Sequence, residues 1–424
     1  MDGGTITAPG RGTRVTATPA ARLRILAIGN MYPPRHAGGY ELMWQAAMRR
    51  ATADGHRVRI LTTDYGADAA SEDDPDVHRA LRWYWDLDRY EFPRLNPARR
   101  LLLERHNQAM LRRHLREFDP DVVSFWSMGC LSLSLIEQVR RTGLPSAFVV
   151  HDDWLVYGRH HDQWIRMWRG RRRLLAPVAE RIARVPTSVR FDGQFVFNSH
   201  YTLDRARRAG VDARATVVYP GVDERFLAAR DEQPWRWRLA YVGRIDRQKG
   251  IDTAVRALEH LPASATLAVW GTGDDRYVTE MRELAARLGV GERVRFEGFA
   301  SAGALPSVYA HADAVVFPVR WDEPFGLVPL EAMGVGRPVI STARGGTAEF
   351  LRAGENALVF AVDDDAGLAG CARRLANDPS LRARLREAGE RTAARYTVER
   401  FARLTVEEIV RAAHPAAETS RGSA

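Results

Sequence analysis

Short runs that are apolar on both faces recur along this chain, each followed by a segment long enough for a helix. In the first half they fall at 23–29, 57–63, 121–127, 146–152, 194–199 and 216–219. In the second half they fall at 239–243, 266–271, 294–298, 314–318, 338–341 and 357–362. Most are rich in β-branched and aromatic residues. Strands of this kind are buried on both sides, as in parallel sheets covered by helices. Two such series in succession predict two doubly wound α/β domains. The break falls at Pro220-Gly221 and the polar, Trp-bearing stretch 231–238. A first domain is expected over 22–218, a linker over 219–223, a second domain over 224–395 and a last helix over 396–414. Residues 1–21 and 415–424 lack an apolar core and are expected to be disordered tails, the first unlike a secretory signal.

The length of 424 residues fits two cores rather than one. The net charge of +9 favours anionic partners such as nucleotides, phosphates, acidic membranes or nucleic acid. The basic residues are nearly all arginine, and Lys249 is the only lysine. Where arginine serves every general purpose, one retained lysine marks a site that needs a compact point charge. Cys130 and Cys371 lie far apart and give neither a disulfide framework nor a metal spacing. No run reaches the roughly 18 apolar residues of a membrane span. The longest, 122–136, is interrupted by Ser and Gly and bounded by Asp121 and Glu137.

Ligands of doubly wound sheets bind where strands end, so the residues after each strand carry the candidate chemistry. Run 239–243 leads into Arg244-Ile245-Asp246-Arg247-Gln248-Lys249-Gly250. A forked guanidinium and a mobile ammonium at a helix N-terminus suit a diphosphate; a solvated loop with incidental charges is the alternative. Run 314–318 leads into Glu323-Pro324-Phe325-Gly326-Leu327 and, eight residues after the first glutamate, Glu331. Carboxylates accept from paired sugar hydroxyls, and the helix start at Gly326-Leu327 offers N–H groups to phosphate. One capping and one surface glutamate would give the same spacing. After the first strand, Gly38-Gly39 lets backbone approach a ligand closely, although the dinucleotide-binding glycine pattern is absent. His151-Asp152-Asp153 stands at the end of the run 146–152, just after its apolar part at 146–150. Pooled with His160, His161 and Asp162, these could form a metal site, but no rigid pair stands out. The run Asp363-Asp364-Asp365 reads as a loop and helix start rather than a metal cluster. Ser199 is expected to cap the next helix.

Together these segments resemble glycosyltransferase family 4, the retaining nucleotide-sugar transferases of GT-B fold. The matching segments are GRIDRQKG at 243–250, EPFGLVPLEAM at 323–333, Gly271-Thr272-Gly273, Gly336-Arg337-Pro338, Gly345-Gly346 and Glu349. The resemblance runs from about residue 23 to about 413. It implies two Rossmann-like domains facing a cleft, with the helix at 397–413 crossing back to the first. It implies a nucleoside diphosphate sugar, UDP- or GDP-linked, as donor, with no cofactor or metal. Arg244 and Lys249 would meet the diphosphate, Glu331 the ribose, Glu323 and His151 the sugar, and Gly39 a donor phosphate. Phe299 and Ala300 would lie near the base. Catalysis is thus assigned to His151, Arg244, Lys249 and Glu323, and donor binding also to Gly38, Gly39, Phe325, Gly326, Leu327 and Glu331. A sugar-nucleotide epimerase and a non-catalytic nucleotide-sugar-binding module remain as alternatives.

The acceptor is open: a cell-envelope glycan or glycolipid precursor, or a small natural product, anionic or lipid-linked. The stretch 158–173 holds six arginines with Trp164 and Trp168 and could face such an acceptor or an acidic membrane. A solvated helix with packed tryptophans is the alternative. No nucleic-acid recognition motif is present. A cytoplasmic enzyme is expected, at most in weak peripheral contact with the inner face of the membrane.

Overall fold

The computed structural model describes residues 22–35, 38–65, 74–84, 93, 95–211, 214–228 and 233–414. The two expected tails lie outside the described residues. The first sheet contains β1 (Arg24–Ile28), β2 (Arg57–Thr63), β3 (Val77–Leu81), β4 (Val122–Phe125), β5 (Ser146–Val150), β6 (Gln194–Phe197) and β7 (Ala215–Val217). Its order is β3-β2-β1-β4-β5-β6-β7, and every pairing is parallel. The second contains β8 (Arg238–Val242), β9 (Thr266–Trp270), β10 (Val294–Gly298), β11 (Ala314–Phe317), β12 (Val339–Ser341) and β13 (Leu358–Val359). Its order is β10-β9-β8-β11-β12-β13, again all parallel.

Each central strand is buried on both faces because a helix layer covers each. In β1, Leu26 and Ile28 pack with Leu111 and Ile136, while Ile25 and Ala27 meet Trp44 and Ala47 on the other side. In β8, Leu239 and Tyr241 pack with Val255 and Leu284, while Ala240 and Val242 meet Leu330 and Met333. Fully burying a large aliphatic side chain contributes about 1.5–3 kcal/mol, so a polar break in these strands would be costly. All twelve expected runs are strands. β3 was not expected: its sequence VHRAL is interrupted by His78 and Arg79, and only Leu81 is fully buried at this sheet edge.

Both sheets reverse their strand order at one place, between β1 and β4 in the first and between β8 and β11 in the second. Neighbouring connections diverge there and leave a crevice at the carboxyl ends of the strands. The loops after β1, β8 and β11, which carry the candidate chemistry, leave the sheets at these points.

The chain passes between the domains twice, and the two passages run side by side. Val222 pairs with Thr397, with Val222 N donating to Tyr396 O at 2.9 Å and Val398 N to Val222 O at 3.1 Å. Gly221 is needed there, since a Cβ would lie 2.4 Å from the Thr397 backbone. Thr397 then caps the helix Val398–Ala413. Phe401, Val406 and Ile409 of this helix pack with Ile25, Trp44 and Ala47, and Gln194 Nε2 donates to Glu408 at 2.8 Å. The last helix therefore crosses back to the first domain.

Candidate functional site

The second-domain wall is built from two loops at the strand-order reversal. Asp246 organises the first loop by accepting from Gln248 N at 2.9 Å, Lys249 N at 3.1 Å and Arg244 Nε at 2.7 Å. Gly250 follows with φ of +68°, and a Cβ there would sit 2.0 Å from Pro318 O. The glycine thus lets this loop press against the end of β11. As a result Lys249 Nζ lies 2.5 Å from Glu323 Oε1, with only 14% and 9% of the two side chains exposed. The ammonium also lies 5.2 Å from the centre of the Trp321 ring. The second oxygen, Glu323 Oε2, is buried without a hydrogen-bond partner among the described residues.

Sequence reasoning gave Lys249 and Glu323 separate tasks; the structure joins them as one ion pair. Gly326, at φ of +86°, starts the helix Leu327–Gly334 without a side-chain cap. The first N–H groups of that helix therefore have no side-chain acceptor. Glu331 stands one turn beyond Leu327 on the same helix face. Its Oε2 accepts from Tyr309 Oη at 2.6 Å, and burial holds its pKa above the usual carboxylate value. Phe325 is buried against Tyr219, Phe350 and Tyr396, so it offers the cleft backbone rather than a side chain. Phe299 projects into solvent just beyond β10, and Ala300 packs against the apolar cluster of the second domain.

The first-domain wall faces it. Gly38 N donates to Glu41 Oε2 at 3.1 Å, fixing the start of the helix Gly39–Ala53. A Cβ on Gly39 would lie 3.0 Å from Leu327 Cδ1, so this glycine directly opposes the helix start of the other domain. His36 and Ala37 of the same loop lie outside the described residues. His151 lies between Tyr40, tilted at 4.7 Å between ring centres, and Phe401, edge-on at 5.1 Å. Phe401 belongs to the returning helix, so the end of the chain shapes this wall. Burial pushes the His151 pKa down to about 3, which keeps the ring neutral, and its Nε2 has no partner among the described residues. Beside it, burial pushes Asp152 up to about 6, while Tyr157 Oη donates to its Oδ2 at 3.0 Å. Asp153 is paired with Arg205 at 3.2 Å. Asp162 belongs elsewhere: it is buried, accepts from Leu133 N at 2.7 Å and Ile165 N at 2.9 Å, and lies 3.6 Å from Arg100. Among the described residues no three His, Cys, Asp or Glu side chains converge as metal ligands.

The walls also touch through residues whose roles the sequence did not disclose. Ser199 Oγ caps its helix at Thr202 N, as expected, and also donates to Pro324 O at 2.6 Å across the domains. Glu349 of the second domain accepts from His200 N at 3.1 Å, Tyr201 N at 2.8 Å and Tyr219 Oη at 2.9 Å. It thereby caps a first-domain helix, since a carboxylate is favoured at a helix N-terminus. Asp246, whose position three residues before Lys249 is a turn signal, could have been found from sequence; Glu349 and Phe401 as partners could not. In the stretch 158–173, Trp164 is buried and donates to Pro186 O at 2.8 Å, and Trp168 packs edge-on against it. These tryptophans serve packing, while Arg166, Arg169, Arg171, Arg172 and Arg173 are exposed, as are His160 and His161.

A sequence model described as glycosyltransferase family 4 matches residues 37–226, and one described as glycosyl transferases group 1 matches residues 225–392. A D-inositol 3-phosphate glycosyltransferase of Salinispora arenicola is 36% identical over 213 residues, 44% of this chain and 47% of that one. A glycogen synthase of Mycobacterium tuberculosis is 32% identical over 203 residues, 46% of this chain and 48% of that one. These matches span about half the length of those relatives. The crystal structure of Anabaena Alr3699/HepE in complex with UDP superposes with a TM-score of 0.65 at 19% identity, covering 91% of this chain and 99% of that one. Two adjoining family matches, and two Rossmann-like domains that face each other across these loops, lead to one assignment: the chain belongs to the family 4-like glycosyltransferases of GT-B fold.

Proposed function

We propose that this glycosyltransferase moves a hexose from a UDP- or GDP-linked sugar to an acceptor hydroxyl, retaining the anomeric configuration and needing no metal ion. The observation that carries the reading is the Lys249–Glu323 pair beside the uncapped helix start at Gly326-Leu327, with Gly39 directly opposite. Negative charge grows on the diphosphate as it leaves. Arg244, the remaining N–H bonds of Lys249 and the helix N–H groups would meet it, preorganised by the loop and helix that carry them. Glu323 Oε2 would accept from a sugar hydroxyl and Glu331 from the ribose. The neutral His151 ring would orient the sugar by hydrogen bonding rather than by charge. The acceptor oxygen bonds to the anomeric carbon on the face the phosphate leaves, and its proton passes to the departing diphosphate. HepE, similar in fold, was crystallised with UDP and with UDP-glucose, which supports a nucleoside diphosphate sugar as donor. The acceptor class is a cell-envelope precursor or a small natural product.

The test is a thermal-shift panel of UDP- and GDP-linked hexoses in the presence of a chelator, followed by NMR of the product formed from any stabilising donor. A bound donor raises the melting temperature by mass action. The expected product carries the donor's anomeric configuration. An epimerised sugar still attached to its nucleotide would replace transfer by epimerisation.

A further inference from the structure

Between β5 and β6 the first domain carries a 3-10 turn, Gly170–Leu174, and a short helix, Ala176–Ala183. The inner side of this helix is anchored. Ala183 is buried, and Glu180 accepts from Thr187 N and Thr187 Oγ1, both at 3.1 Å, and from Arg141. The outer side is apolar and uncovered: Leu174 is 86% exposed, Leu175 63%, Val178 60% and Ile182 73%. Residues 174, 178 and 182 follow one another at helical spacing and form a stripe. A contiguous aliphatic stripe on a surface marks an interaction face, unlike single exposed apolar residues.

The stripe is ringed by cations. Arg171, Arg172, Arg173, Arg181 and Arg184 are all exposed. Among the described residues, Arg171, Arg172, Arg173 and Arg181 have no carboxylate partner. Next to the helix lies a groove of about 1340 Å³ lined, among the described residues, by eight arginines and one acid, Glu180, which Arg141 already engages. Burial and the neighbouring Arg169 hold Arg159 of this groove below the ordinary guanidinium value, and burial with Arg184 and Arg116 does the same to Arg112. The face thus concentrates positive charge without matching acids. Among the described residues no aromatic side chain stands exposed on this face as the anchors of protein interfaces do: Trp164 is buried, and Trp168 and Phe191, which line the groove, are half-buried. Aliphatic side chains that insert, surrounded by arginines, need no partner of fixed shape; a fluid acidic leaflet satisfies both.

We propose that this face, with Leu174, Leu175, Val178 and Ile182 at its centre, rests reversibly on a bilayer surface bearing acidic phospholipids. The assignment is independent of the donor reading and goes beyond the expectation drawn from residues 158–173, since the inserting side chains lie after that stretch.

The test is co-sedimentation of the full chain with phosphatidylcholine vesicles, with and without phosphatidylglycerol, at low and moderate salt. Wild type should bind the acidic vesicles only, and salt should weaken binding. Each cation at an acidic leaflet raises partition about fivefold, so a variant with Arg171, Arg172 and Arg173 all changed to Gln should lose about a hundredfold. A Val178→Asp, Ile182→Asp variant changes exposed positions; it should keep its melting temperature and its nucleotide affinity yet lose vesicle binding at least tenfold. Three outcomes would overturn the proposal: no binding of wild type to acidic vesicles at low salt, unchanged binding by the aspartate variant, or a wild-type dimer in light scattering that this variant turns into monomers.

Discussion

Removing Lys249 while leaving Glu323 in place should destabilise the second domain by about 3 kcal/mol. At 2.5 Å and an effective dielectric near 20, the gross attraction within the pair is roughly 7 kcal/mol. Desolvation of both groups offsets much of this, and breaking one partner of a buried pair costs about 3–5 kcal/mol. The lower end applies because both side chains keep slight exposure at the cleft. In Lys249→Met the Glu323 carboxylate loses the ammonium it pairs with, and its Oε2 already lacks a hydrogen-bond partner among the described residues. For a domain of this size the loss corresponds to about 6–12 °C in melting temperature. Glu323→Gln should cost less, because the ammonium keeps the Trp321 and Phe317 rings as neighbours. The double variant, Lys249→Met with Glu323→Gln, should be more stable than Lys249→Met alone. Denaturant titration of all four proteins measures the coupling, expected to be at least about 2 kcal/mol. Additivity of the two single changes to within about 0.5 kcal/mol would refute the claim that they form one energetic unit.

The paired groups at the first-domain wall predict opposite pH effects. The folded His151 ring binds a proton only near pH 3, against about 6.5 when unfolded. The unfolded chain therefore takes up the extra proton between these values, and the stability this ring contributes falls as pH drops below 6.5. Asp152, raised to about 6, does the reverse: the folded state holds the extra proton between about pH 4 and 6. Relative to wild type, His151→Gln should gain stability and Asp152→Asn should lose it as pH falls from 6 to 4, each on the order of 1 kcal/mol per pH unit; parallel melting curves for all three proteins would contradict both assignments. Glu331→Gln should weaken free nucleoside diphosphate as well as donor in calorimetry, whereas Glu323→Gln should harm donor far more; equal losses for both ligands in the Glu323 variant would exclude a sugar contact. Gly221→Ala should cost about 1–3 kcal/mol by forcing the two interdomain passages apart, and an unchanged melting temperature would show that they do not need this contact.

The sheets were legible in the sequence because parallel strands buried on both faces need near-continuous apolar runs. β3 escaped for the converse reason: an edge strand tolerates His78 and Arg79. The loops were legible as candidate chemistry, since Arg244, Lys249 and Glu323 follow strand ends and Glu331 lies in the helix that comes next. Their pairing was not. Lys249 meets Glu323 across 74 residues of chain only because Gly250 lets the loop press against Pro318. The Phe401 contact with His151 and the Glu349 cap on the helix His200–Arg208 likewise depend on how the two domains meet, which no local pattern encodes. The apolar stripe of residues 174–182 was hidden because it is short, contains Pro177 and lies among arginines.

The most direct measurement is a crystal structure of the chain with UDP or GDP bound. The diphosphate is expected within hydrogen-bond distance of Arg244 and of the backbone N–H groups that begin the helix Leu327–Gly334, facing Gly39, with the ribose hydroxyls on Glu331. A nucleotide seated instead in the arginine-lined groove beside the helix Ala176–Ala183, with the cleft around Lys249 and Glu323 unchanged, would contradict this placement.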